Sequence, residues 1–354
     1  GRVRAHEKFR TAVVILSNGR KIDIATARLE YYKSPGALPT VETGSLKLDL
    51  YRRDFTINTL AIGLNPGRFG TLIDFFGAQK DLKRKVIRVL HNLSFVEDPT
   101  RVFRAVRFEQ RFGFRIGKLT SALIENAVRM DFFKELSGRR LVSELWQLLE
   151  EDRPVMALRR LNEYNLLRVI HPKIVYDSAL ETRLYSVEKV LTWHHLLFLE
   201  EACREWIVYF MTLMRSFDQD DARALCDRLQ LTPRHRKALI DEKTRAEAFL
   251  RWMGPLQIIK NSDLYRKLRP FHIETLLYIM ANTTRNSVKR AISSYVTRLR
   301  STQTLLSGKY LKETGFKPGP IYREILDRLL DARLNGEVET LLDEVEFVRK
   351  NWQV

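Results

Sequence analysis

The first part of the chain, to about position 77, has the pattern of short strands. "TAVVIL" and "KIDIATA" flank Ser17-Asn18-Gly19-Arg20, and Asn-Gly is the strongest short signal for a β-hairpin. Alternation with a period of two puts Ile22 and Ile24 on one face of the second strand and Asp23 on the other. The stretch from Tyr32 to Ser45, "YKSPGALPTVETGS", contains two prolines and two glycines. We therefore predict a long loop there, of a kind that is usually functional or mobile.

Beyond Asp81 the apolar residues are spaced three and four apart, which is the pattern of amphipathic helices. The spacing is clear in "RRLVSELWQLLEE" and "PVMALRRLNEYNLL" and continues through residues 180–215 and 286–306. The glycines and prolines of "SGKYLKETGFKPGP" interrupt it, and residues 321–351 resume it. The pattern predicts a small α/β head, with a mixed or antiparallel sheet, followed by a long all-α remainder.

The composition adds a strong positive charge to this picture. The 354 residues include 61 Lys and Arg against 43 Asp and Glu, a formal net charge of +18. A large positive excess raises the affinity for polyanions and speeds their capture. A merely basic globular protein is the alternative. The basic residues recur along the whole chain instead of in one tail, which favours nucleic acid as the partner.

Other features of the sequence argue against several classes of protein. No apolar run reaches the roughly 18 residues of a membrane span, so we expect no membrane partner. "GRVRAHEKFRT" lacks the apolar region of a secretory signal. Cys203 and Cys226 are the only cysteines, and they form no CxxC. This usage argues against structural zinc and for a reducing compartment, the cytoplasm.

The stretch "SFVEDPTRVFRAVRFEQRFGF" raises an electrostatic question. Asp98-Pro99 is a good helix start, with Asp98 as N-cap and proline at the first helical position. Arg101, Arg104 and Arg107 then follow in the first turns, where each cation opposes the helix dipole by roughly 0.3–1 kcal/mol. A bound polyphosphate would make the electrostatic energy of these arginines at the helix start favourable. Nearby acids can offset part of the repulsion, so the arginines favour an anionic ligand without requiring one.

"DLYRRDFTINTLAI" places Arg52, Arg53 and Asp54 just before an apolar run. Paired arginines can bind phosphates, and a neighbouring carboxylate can fix one guanidinium or accept a ribose hydroxyl. A solvated charge cluster explains the triplet about as often. Asn58 would lie on the same helical face as Asp54 if a helix has begun there. By itself, "DFFGAQKDL" (residues 74–82) predicts no more than an ordinary turn.

In this order and at this spacing, four segments together resemble the class II tRNA nucleotidyltransferases and their bacterial poly(A) polymerase relatives: "KIDIATARLEYY", "DLYRRDFTINTLAI", "DFFGAQKDL" and "FVEDPTRVFRAVRF". The resemblance continues through "SGRRLVSEL" to "LSGKYLKETGFKPGP", so it covers nearly the whole chain. It implies a partial nucleotidyltransferase palm over residues 1–82 and nucleotide-selecting helices with a neck over residues 83–172. A helical body over residues 173–300 and a helical tail over residues 301–354 would follow.

For the incoming nucleotide, the resemblance implies two groups of residues. One group holds the ribose and the phosphates: Arg52, Arg53, Asp54, Asn58, Arg104 and Arg107. The other is the family's protein template, in which Asp98 and Arg101 present hydrogen bonds to the Watson–Crick edge of the base. The template chooses C or A without a nucleic-acid strand, so the implied substrates are CTP and ATP.

Further segments match moving parts and the surface that holds RNA. Asp74, Gly77 and Asp81 resemble a hinge between head and neck, and Arg28 and Glu30 begin what resembles the family's mobile loop. The helical remainder resembles the parts that grip the acceptor and TΨC arms of tRNA. There we expect a basic strip, and the net charge favours RNA contact over a solvated face: Arg285, Lys289, Arg290, Arg298 and Arg300.

One departure from the family concerns the metal. Family members carry a Gly-Gly segment and an Asp-x-Asp pair that holds two magnesium ions, and we find neither here. "GRVRAHEKFRTAVV" resembles the segment just after them, so we expect the chain by itself to bind nucleotide and RNA without extending a primer. Asp23 is a candidate for a third carboxylate of that site, and a plain surface acid explains it equally well.

The sequence therefore predicts an enzyme, a template-independent RNA nucleotidyltransferase assisted by Mg²⁺. It would add C and A, or A alone, to the 3′ end of tRNA and release pyrophosphate. Two alternatives remain: a poly(A) polymerase of the same family, and a non-catalytic module that binds RNA or nucleotide.

Overall fold

The computed structural model describes residues 1–7, 10–31, 40–254 and 259–352. They form two compact units, the first comprising Gly1–Tyr176 with Asp227–Gln230, and the second comprising Asp177–Cys226 with Leu231–Val354. A small antiparallel sheet at the start is followed by mostly helical structure, which confirms the predicted fold class. The finer division into neck, body and tail stays a prediction.

The strands of the first unit are short. Three of them form an antiparallel sheet in the order β1–β2–β3: β1 (Arg2–His6), β2 (Thr11–Ile15) and β3 (Lys21–Ala25). Three two-stranded pairs follow: β4 (Arg28–Tyr31) with β5 (Thr40–Thr43), β6 (Ala61–Ile62) with β7 (Leu72–Ile73), and β8 (Val86–Ile87) with β9 (Arg115–Ile116). The β8–β9 pair is parallel, and the other two pairs are antiparallel.

The helices of the first unit are α1 (Leu46–Tyr51), α2 (Ala78–Arg84), α3 (Ser94–Glu97), α4 (Thr100–Phe112), α5 (Lys118–Arg129), α6 (Gly138–Leu149), α7 (Pro154–Glu163) and α8 (Leu166–Ile170). A 3-10 turn at Thr56–Asn58 lies between α1 and β6. The helix α4 packs against α6 and α7. Its Phe103 is fully buried and meets the Phe133 ring edge-on at 5.9 Å. This packing fixes the start of α4, where the predicted site residues lie.

The second unit contains the helices α9 (Ser178–His195), α10 (Glu205–Leu213), α11 (Gln219–Arg228), α12 (Pro233–Arg236), α13 (Lys243–Trp252), α14 (Asn261–Leu268), α15 (Ile273–Ala281), α16 (Asn286–Thr297), α17 (Gly308–Glu313), α18 (Pro320–Asn335) and α19 (Leu341–Asn351). The last two residues of α11, Asp227 and Arg228, belong to the first unit. Leu311, Ile325 and Leu329 belong to a small apolar core near the C-terminus. No described helix has both the length and the apolar character that crossing a membrane requires.

The predicted hairpin is confirmed, because Ile15 of β2 faces Lys21 of β3 and Gly19 takes a φ of 80°, which favours glycine. The predicted loop is wrong at its C-terminal end. Thr40–Thr43, rich in β-branched residues, form β5 and pair with β4. Residues 32–39 of that loop lie outside the described residues. The helix α4 begins at Thr100, one residue after the predicted start.

Candidate functional site

A cleft of about 450 Å³ lies at the start of α4 in the first unit. Its lining is strongly charged: Glu30, Arg52, Arg53, Asp54, Asn58, Asp98, Arg101 and Arg104. The structure thus brings together all of the predicted nucleotide-binding residues except Arg107. It adds Glu30, which we expected at the start of a mobile loop. A cleft of this volume is typical of sites for small ligands.

Carboxylates of the protein hold Arg52 at the wall of the cleft. Asp49 Oδ1 accepts from Arg52 Nε at 3.1 Å and from Nη2 at 2.8 Å, and Glu30 Oε1 accepts from Nη1 at 2.8 Å. Glu30 Oε1 also accepts from Arg28 Nε at 3.1 Å, and the Arg28 N–H donates to Asp49 Oδ1 at 3.1 Å. These bonds tie β4 to the end of α1 and place Arg28 and Glu30 beside Arg52, which is predicted to bind the phosphates.

Asp54 organises a second group of cleft residues. Arg104 donates to Asp54 Oδ2 from Nε at 2.9 Å and from Nη2 at 2.5 Å. Asn58 Nδ2 and the Phe55 N–H donate to Oδ1 at 2.8 and 2.9 Å. Burial alone raises the pKa of Asp54, but the charge of Arg104 and these hydrogen bonds outweigh it and hold the pKa below its ordinary value. Asn58 reaches Asp54 from a 3-10 turn and not from the α-helical face that the spacing suggested.

Arg53 is the most exposed arginine of the cleft, with 45% of its side chain accessible. Its Nη1 donates to the Asn58 carbonyl at 3.2 Å, and Asp49 Oδ2 lies 3.8 Å from its Nη2. Because these contacts are long and the side chain is accessible, little is lost when the guanidinium turns to a ligand. Arg53 is therefore the cleft arginine that is best placed to bind an incoming anion.

Asp98, the predicted N-cap, lies one residue before Pro99, the N-cap residue of α4, and forms an ion pair that the sequence did not indicate. Its Oδ1 accepts the Thr100 N–H at 3.0 Å and the Thr100 hydroxyl at 2.5 Å, as an N-cap does. The same oxygen lies 2.7 Å from Nη2 of Arg140 on α6. Arg139 and Arg140 occupy the first turn of α6, where cations are unfavourable. Two adjacent arginines at a helix start in "SGRRLVSEL" are therefore the sequence signal that could have identified Arg140 as a residue with an acidic partner.

Arg101 lines the cleft although only 5% of its side chain is exposed. Its Nη1 donates to Ser94 Oγ at 2.8 Å, and its Nη2 donates to the Arg52 carbonyl at 2.7 Å. Glu97 Oε2 lies 3.7 Å from Nη1. A guanidinium held from two sides keeps one direction, which suits the recognition of a base edge better than the binding of a mobile phosphate.

Arg107 does not line the cleft, which differs from the expectation that it faces the phosphates. It points along α6, where Nη1 donates to the Gln147 side chain and lies 3.5 Å from Glu144 Oε2. Its Nε lies 3.9 Å from Glu151 Oε1. Burial is the main cause that lowers its pKa, and only 6% of its side chain is exposed. Contacts with α6 account for this arginine in the structure.

The crowding of arginines at the start of α4 has an internal answer. Each of the three arginines faces a carboxylate from its surroundings: Arg101 faces Glu97, Arg104 faces Asp54, and Arg107 faces Glu144. Partly buried pairs of this kind offset the unfavourable helix dipole. The arrangement is therefore balanced by the protein itself, and a bound polyphosphate is not needed to explain it.

The predicted hinge residues Asp74 and Gly77 lie just before α2, whose N-cap residue is Gly77. Asp74 accepts the N–H groups of Gly77 and Ala78 at 2.8 Å and of Gln79 at 3.0 Å. Burial raises the pKa of Asp74, but these bonds outweigh it and hold the pKa below its ordinary value. Gly77 takes a φ of 78°, a left-handed conformation that favours glycine.

Asp81, the third predicted hinge residue, is buried in α2. Its Oδ2 accepts from Thr56 Oγ1 at 2.6 Å and from Arg88 Nε at 2.8 Å. Asp81 thereby ties α2 to the 3-10 turn that carries Asn58 to the cleft. Movement of the head about these residues stays a prediction.

Asp23, the candidate third carboxylate, lies on the exposed strand β3 opposite Val13. Among the described residues, no group of three His, Cys, Asp or Glu side chains could hold a metal ion. The described residues therefore do not fit the magnesium site that the resemblance implies.

The predicted basic strip of the second unit divides into two kinds of residue. Arg285 donates to two backbone carbonyls at the end of α13, and Arg300 pairs with Glu201, with Nη2 and Oε1 3.1 Å apart. The remaining members form no side-chain hydrogen bond or ion pair within the described part of the chain: Lys289, Arg290 and Arg298. Lys289, Arg290 and Arg298 are therefore available to a polyanion, whereas Arg285 and Arg300 already have protein partners.

Two family profiles match the chain: "Poly A polymerase head domain" over residues 1–88, and "Probable RNA and SrmB- binding site of polymerase A" over residues 113–177. The A-adding tRNA nucleotidyltransferase of Geobacter sulfurreducens is 52% identical over 98% of this chain and 40% of its own length. The A-adding tRNA nucleotidyltransferase of Halalkalibacterium halodurans is 30% identical over 99% of this chain and 79% of its own length.

Solved structures agree with these relatives. A CCA-adding enzyme in an apo form matches with a TM-score of 0.81 and 35% identity, over 99% of this chain and 82% of that chain. The CCA-adding enzyme of Thermotoga maritima complexed with tRNA matches with a TM-score of 0.75 and 32% identity, over 100% and 82%. The chain therefore belongs to the family of tRNA nucleotidyltransferases and poly(A) polymerases, as its motifs predicted. It spans 40% of the length of the Geobacter relative and 38% of that of the Aquifex aeolicus relative.

Proposed function

We propose that the protein adds nucleotides to the 3′ end of tRNA without a nucleic-acid template. It takes A from ATP, or C and A from CTP and ATP, and releases pyrophosphate. The observation that carries the proposal is the charged cleft at the start of α4, whose lining includes all of the predicted nucleotide-binding residues except Arg107. Three curated relatives are named as A-adding tRNA nucleotidyltransferases, which supports addition of A in particular.

Selection of the base follows from the direction of hydrogen bonds. Adenine and cytosine present an exocyclic amino group, which donates, whereas guanine and uracil present a carbonyl oxygen, which accepts. The Asp98 carboxylate can only accept, and the Arg101 guanidinium can only donate. Together they fit the amino group and the neighbouring ring nitrogen of A or C. With G or U, a carbonyl oxygen would face the Asp98 carboxylate, and two acceptors form no hydrogen bond.

The remaining cleft residues suit the sugar and the phosphates. Arg52 and Arg53 supply positive charge, and Arg53 is the more accessible of the two. Asp54 can accept a ribose hydroxyl, because ionised carboxylates are strong acceptors and the pKa of Asp54 lies below its ordinary value. These residues account for the selection and positioning of the nucleotide. We assign none of the described residues to the phosphoryl transfer itself.

We propose tRNA as the acceptor and the cytoplasm as the place of the reaction. The net charge of +18 and the available basic residues of α16 and the turn after it, namely Lys289, Arg290 and Arg298, support an RNA partner. The Thermotoga maritima relative, solved in complex with tRNA, supports tRNA in particular. Cys203 and Cys226 are free thiols, which suits a reducing compartment.

Nucleotide titrations of the chain test base selection. ATP and CTP should bind more tightly than GTP and UTP, and Asp98→Ala should reduce that preference about tenfold because the acceptor for the amino group is removed. Affinity for tRNA should stay unchanged. Equal binding of all four nucleotides by the unaltered chain would contradict the assignment of Asp98 and Arg101.

A second assay tests the reaction. The full-length protein is offered tRNAs that end before CCA, after C and after CC, with each nucleotide separately. Extension only of the tRNA that ends after CC, and only with ATP, identifies an A-adding enzyme. Homopolymer synthesis on a generic RNA primer, without extension of these tRNAs, would favour a poly(A) polymerase. Binding without any extension would favour a non-catalytic module.

A further inference from the structure

Ser94 is the first residue of the short helix α3, and it is fully buried although its side chain is a hydroxyl group. A buried hydroxyl group is usually hydrogen-bonded. Here the hydroxyl oxygen accepts from Nη1 of Arg101 at 2.8 Å. Because Arg101 lines the cleft, Ser94 is connected to the cleft through another side chain.

The chain changes direction between Ser94 and Arg101. The helix α3 ends at Glu97, Asp98 takes an extended conformation with a φ of −138°, and α4 begins at Thr100. Two backbone bonds hold this bend: the Ser94 carbonyl accepts the Asp98 N–H at 3.2 Å, and the Asp98 carbonyl accepts the Arg101 N–H at 3.1 Å. The bend thus brings together two side chains that are seven positions apart in the sequence.

Arg101 is held differently from two other arginines of the cleft. Carboxylate oxygens accept from Arg52 and Arg104 at 2.5–3.1 Å. The short bonds of Arg101 instead go to two neutral oxygens, the Ser94 hydroxyl and the Arg52 carbonyl. The Glu97 carboxylate lies farther from Arg101, at 3.7 Å. A neutral acceptor directs a guanidinium without neutralising its charge, so hydrogen bonds from Arg101 to a ligand stay charge-assisted.

Burial makes the bond between Ser94 and Arg101 hard to replace. Since only 5% of the Arg101 side chain is exposed, water has little access to the guanidinium. Loss of the hydroxyl would leave a buried N–H group without this acceptor, which is more unfavourable than the loss of a bond at the surface. The guanidinium would then turn toward the Glu97 carboxylate on α3. Such a turn would change the direction of the N–H groups that are proposed to face the base.

We propose that Ser94 is a positioning residue for base selection. Its hydroxyl group fixes the Arg101 guanidinium in the direction that matches A or C, and it acts on the nucleotide only through Arg101. This inference rests on the proposed function, in which Asp98 and Arg101 recognise the base. It goes beyond that function because it assigns part of the selectivity to a buried, uncharged residue of α3.

Calorimetric titration of the full chain with ATP, CTP, GTP and UTP tests this role. Ser94→Ala should reduce the preference for ATP and CTP over GTP and UTP about fivefold, because Arg101 loses one of the two short bonds that direct it. Affinity for inorganic tripolyphosphate, which carries no base, should stay unchanged. Ser121→Ala is the matched control, since it removes another hydroxyl of the first unit, which lies 2.8 Å from the Tyr164 hydroxyl. The control should keep the full preference.

A double variant separates positioning from a general effect on the structure. Arg101→Ala should leave the part of the preference that Asp98 provides, and adding Ser94→Ala should not reduce it further, because residues that act through one interaction are not additive. A further loss in the double variant, an unchanged preference in Ser94→Ala or weaker binding of tripolyphosphate by Ser94→Ala would overturn the proposal. If the unaltered chain binds all four nucleotides equally, the proposed base selection fails together with this inference.

Discussion

Arg140 and Asp98 join two helices at the edge of the cleft, with 2.7 Å between Nη2 of the arginine and Oδ1 of the aspartate. Oδ1 of Asp98 also accepts the N–H and the hydroxyl of Thr100, so one oxygen both faces this guanidinium and bonds to the start of α4. The contact with α6 gives the carboxylate one fixed direction, which a residue that reads a base edge needs.

The first prediction concerns this ion pair. Arg140→Gln should reduce the preference for ATP and CTP over GTP and UTP several-fold, because the charged partner that orients the Asp98 carboxylate is removed. Affinity for tRNA should change little. Arg139→Gln is the matched control, since it removes the same charge from the neighbouring, exposed position. Calorimetric titration with the four nucleotides measures the effect, and equal preferences in both variants would rule out this role for Arg140.

The second prediction uses the pH dependence of Asp54. Its pKa lies below the ordinary value, so its stabilising effect is fully present above the ordinary pKa and is lost as the pH falls through the folded-state pKa. Asp54→Asn should lower the free energy of unfolding near pH 7 by about 2 kcal/mol, because Arg104 loses its charged partner. The difference between variant and parent should shrink below about pH 4.

Urea unfolding of the parent and the variant at a series of pH values measures this difference. Asp152→Asn, at an exposed acid, should have no effect at any pH. A difference for Asp54→Asn that stays constant down to pH 3 would show that the charge of Asp54 is not its source.

The third prediction concerns Gly138, the first residue of α6. A Cβ built on it would lie 1.9 Å from the Arg228 carbonyl oxygen, a distance that no packing adjustment of a side chain can relieve. Gly138→Ala should therefore destabilise the first unit by about 3 kcal/mol or more. Gly254→Ala, where a Cβ would meet nothing within 4 Å, is the control. Thermal unfolding followed by circular dichroism compares the two, and similar melting temperatures would contradict this packing.

The fourth prediction concerns RNA binding by the second unit. Replacement of Lys289, Arg290 and Arg298 by glutamine should weaken tRNA binding and reduce its dependence on salt, by roughly one unit of slope for each phosphate that the protein no longer neutralises. Arg300→Gln should do less, because Arg300 already pairs with Glu201. Anisotropy titrations at several salt concentrations give the slopes. An unchanged slope for the triple variant would remove these residues from the RNA surface.

The residues that line the cleft could be named from the sequence because most of them lie in short local motifs. Arg52, Arg53 and Asp54 are adjacent, and Asp98 and Arg101 are three apart at a recognisable helix start. Such patterns depend on neighbours in the chain, which a sequence displays directly. The fold class followed in the same way from the change between period-two and helical spacing.

Partners from distant segments could not be predicted in this way. Arg140 meets Asp98, and Glu144 meets Arg107, only because α4 packs against α6. The arginines of α4 suggested a bound polyphosphate, and the fold supplies carboxylates instead: Glu97 of α3, Asp54 before the 3-10 turn and Glu144 of α6. Asn58 would share a helical face with Asp54 only if an α-helix had begun there, and it reaches Asp54 from a 3-10 turn instead.

The ion pairs inside the cleft have a consequence for how a bound anion enters and leaves. An anion that enters must take guanidinium contacts from Glu30, Asp49 and Asp54, which hold Arg52 and Arg104 at 2.5–3.1 Å. When the anion departs, the same carboxylates can bind the guanidinium groups of Arg52 and Arg104 again. Carboxylates that compete for the guanidinium groups in this way should shorten the residence time of a bound phosphate compound, and in the proposed reaction this would favour release of the product.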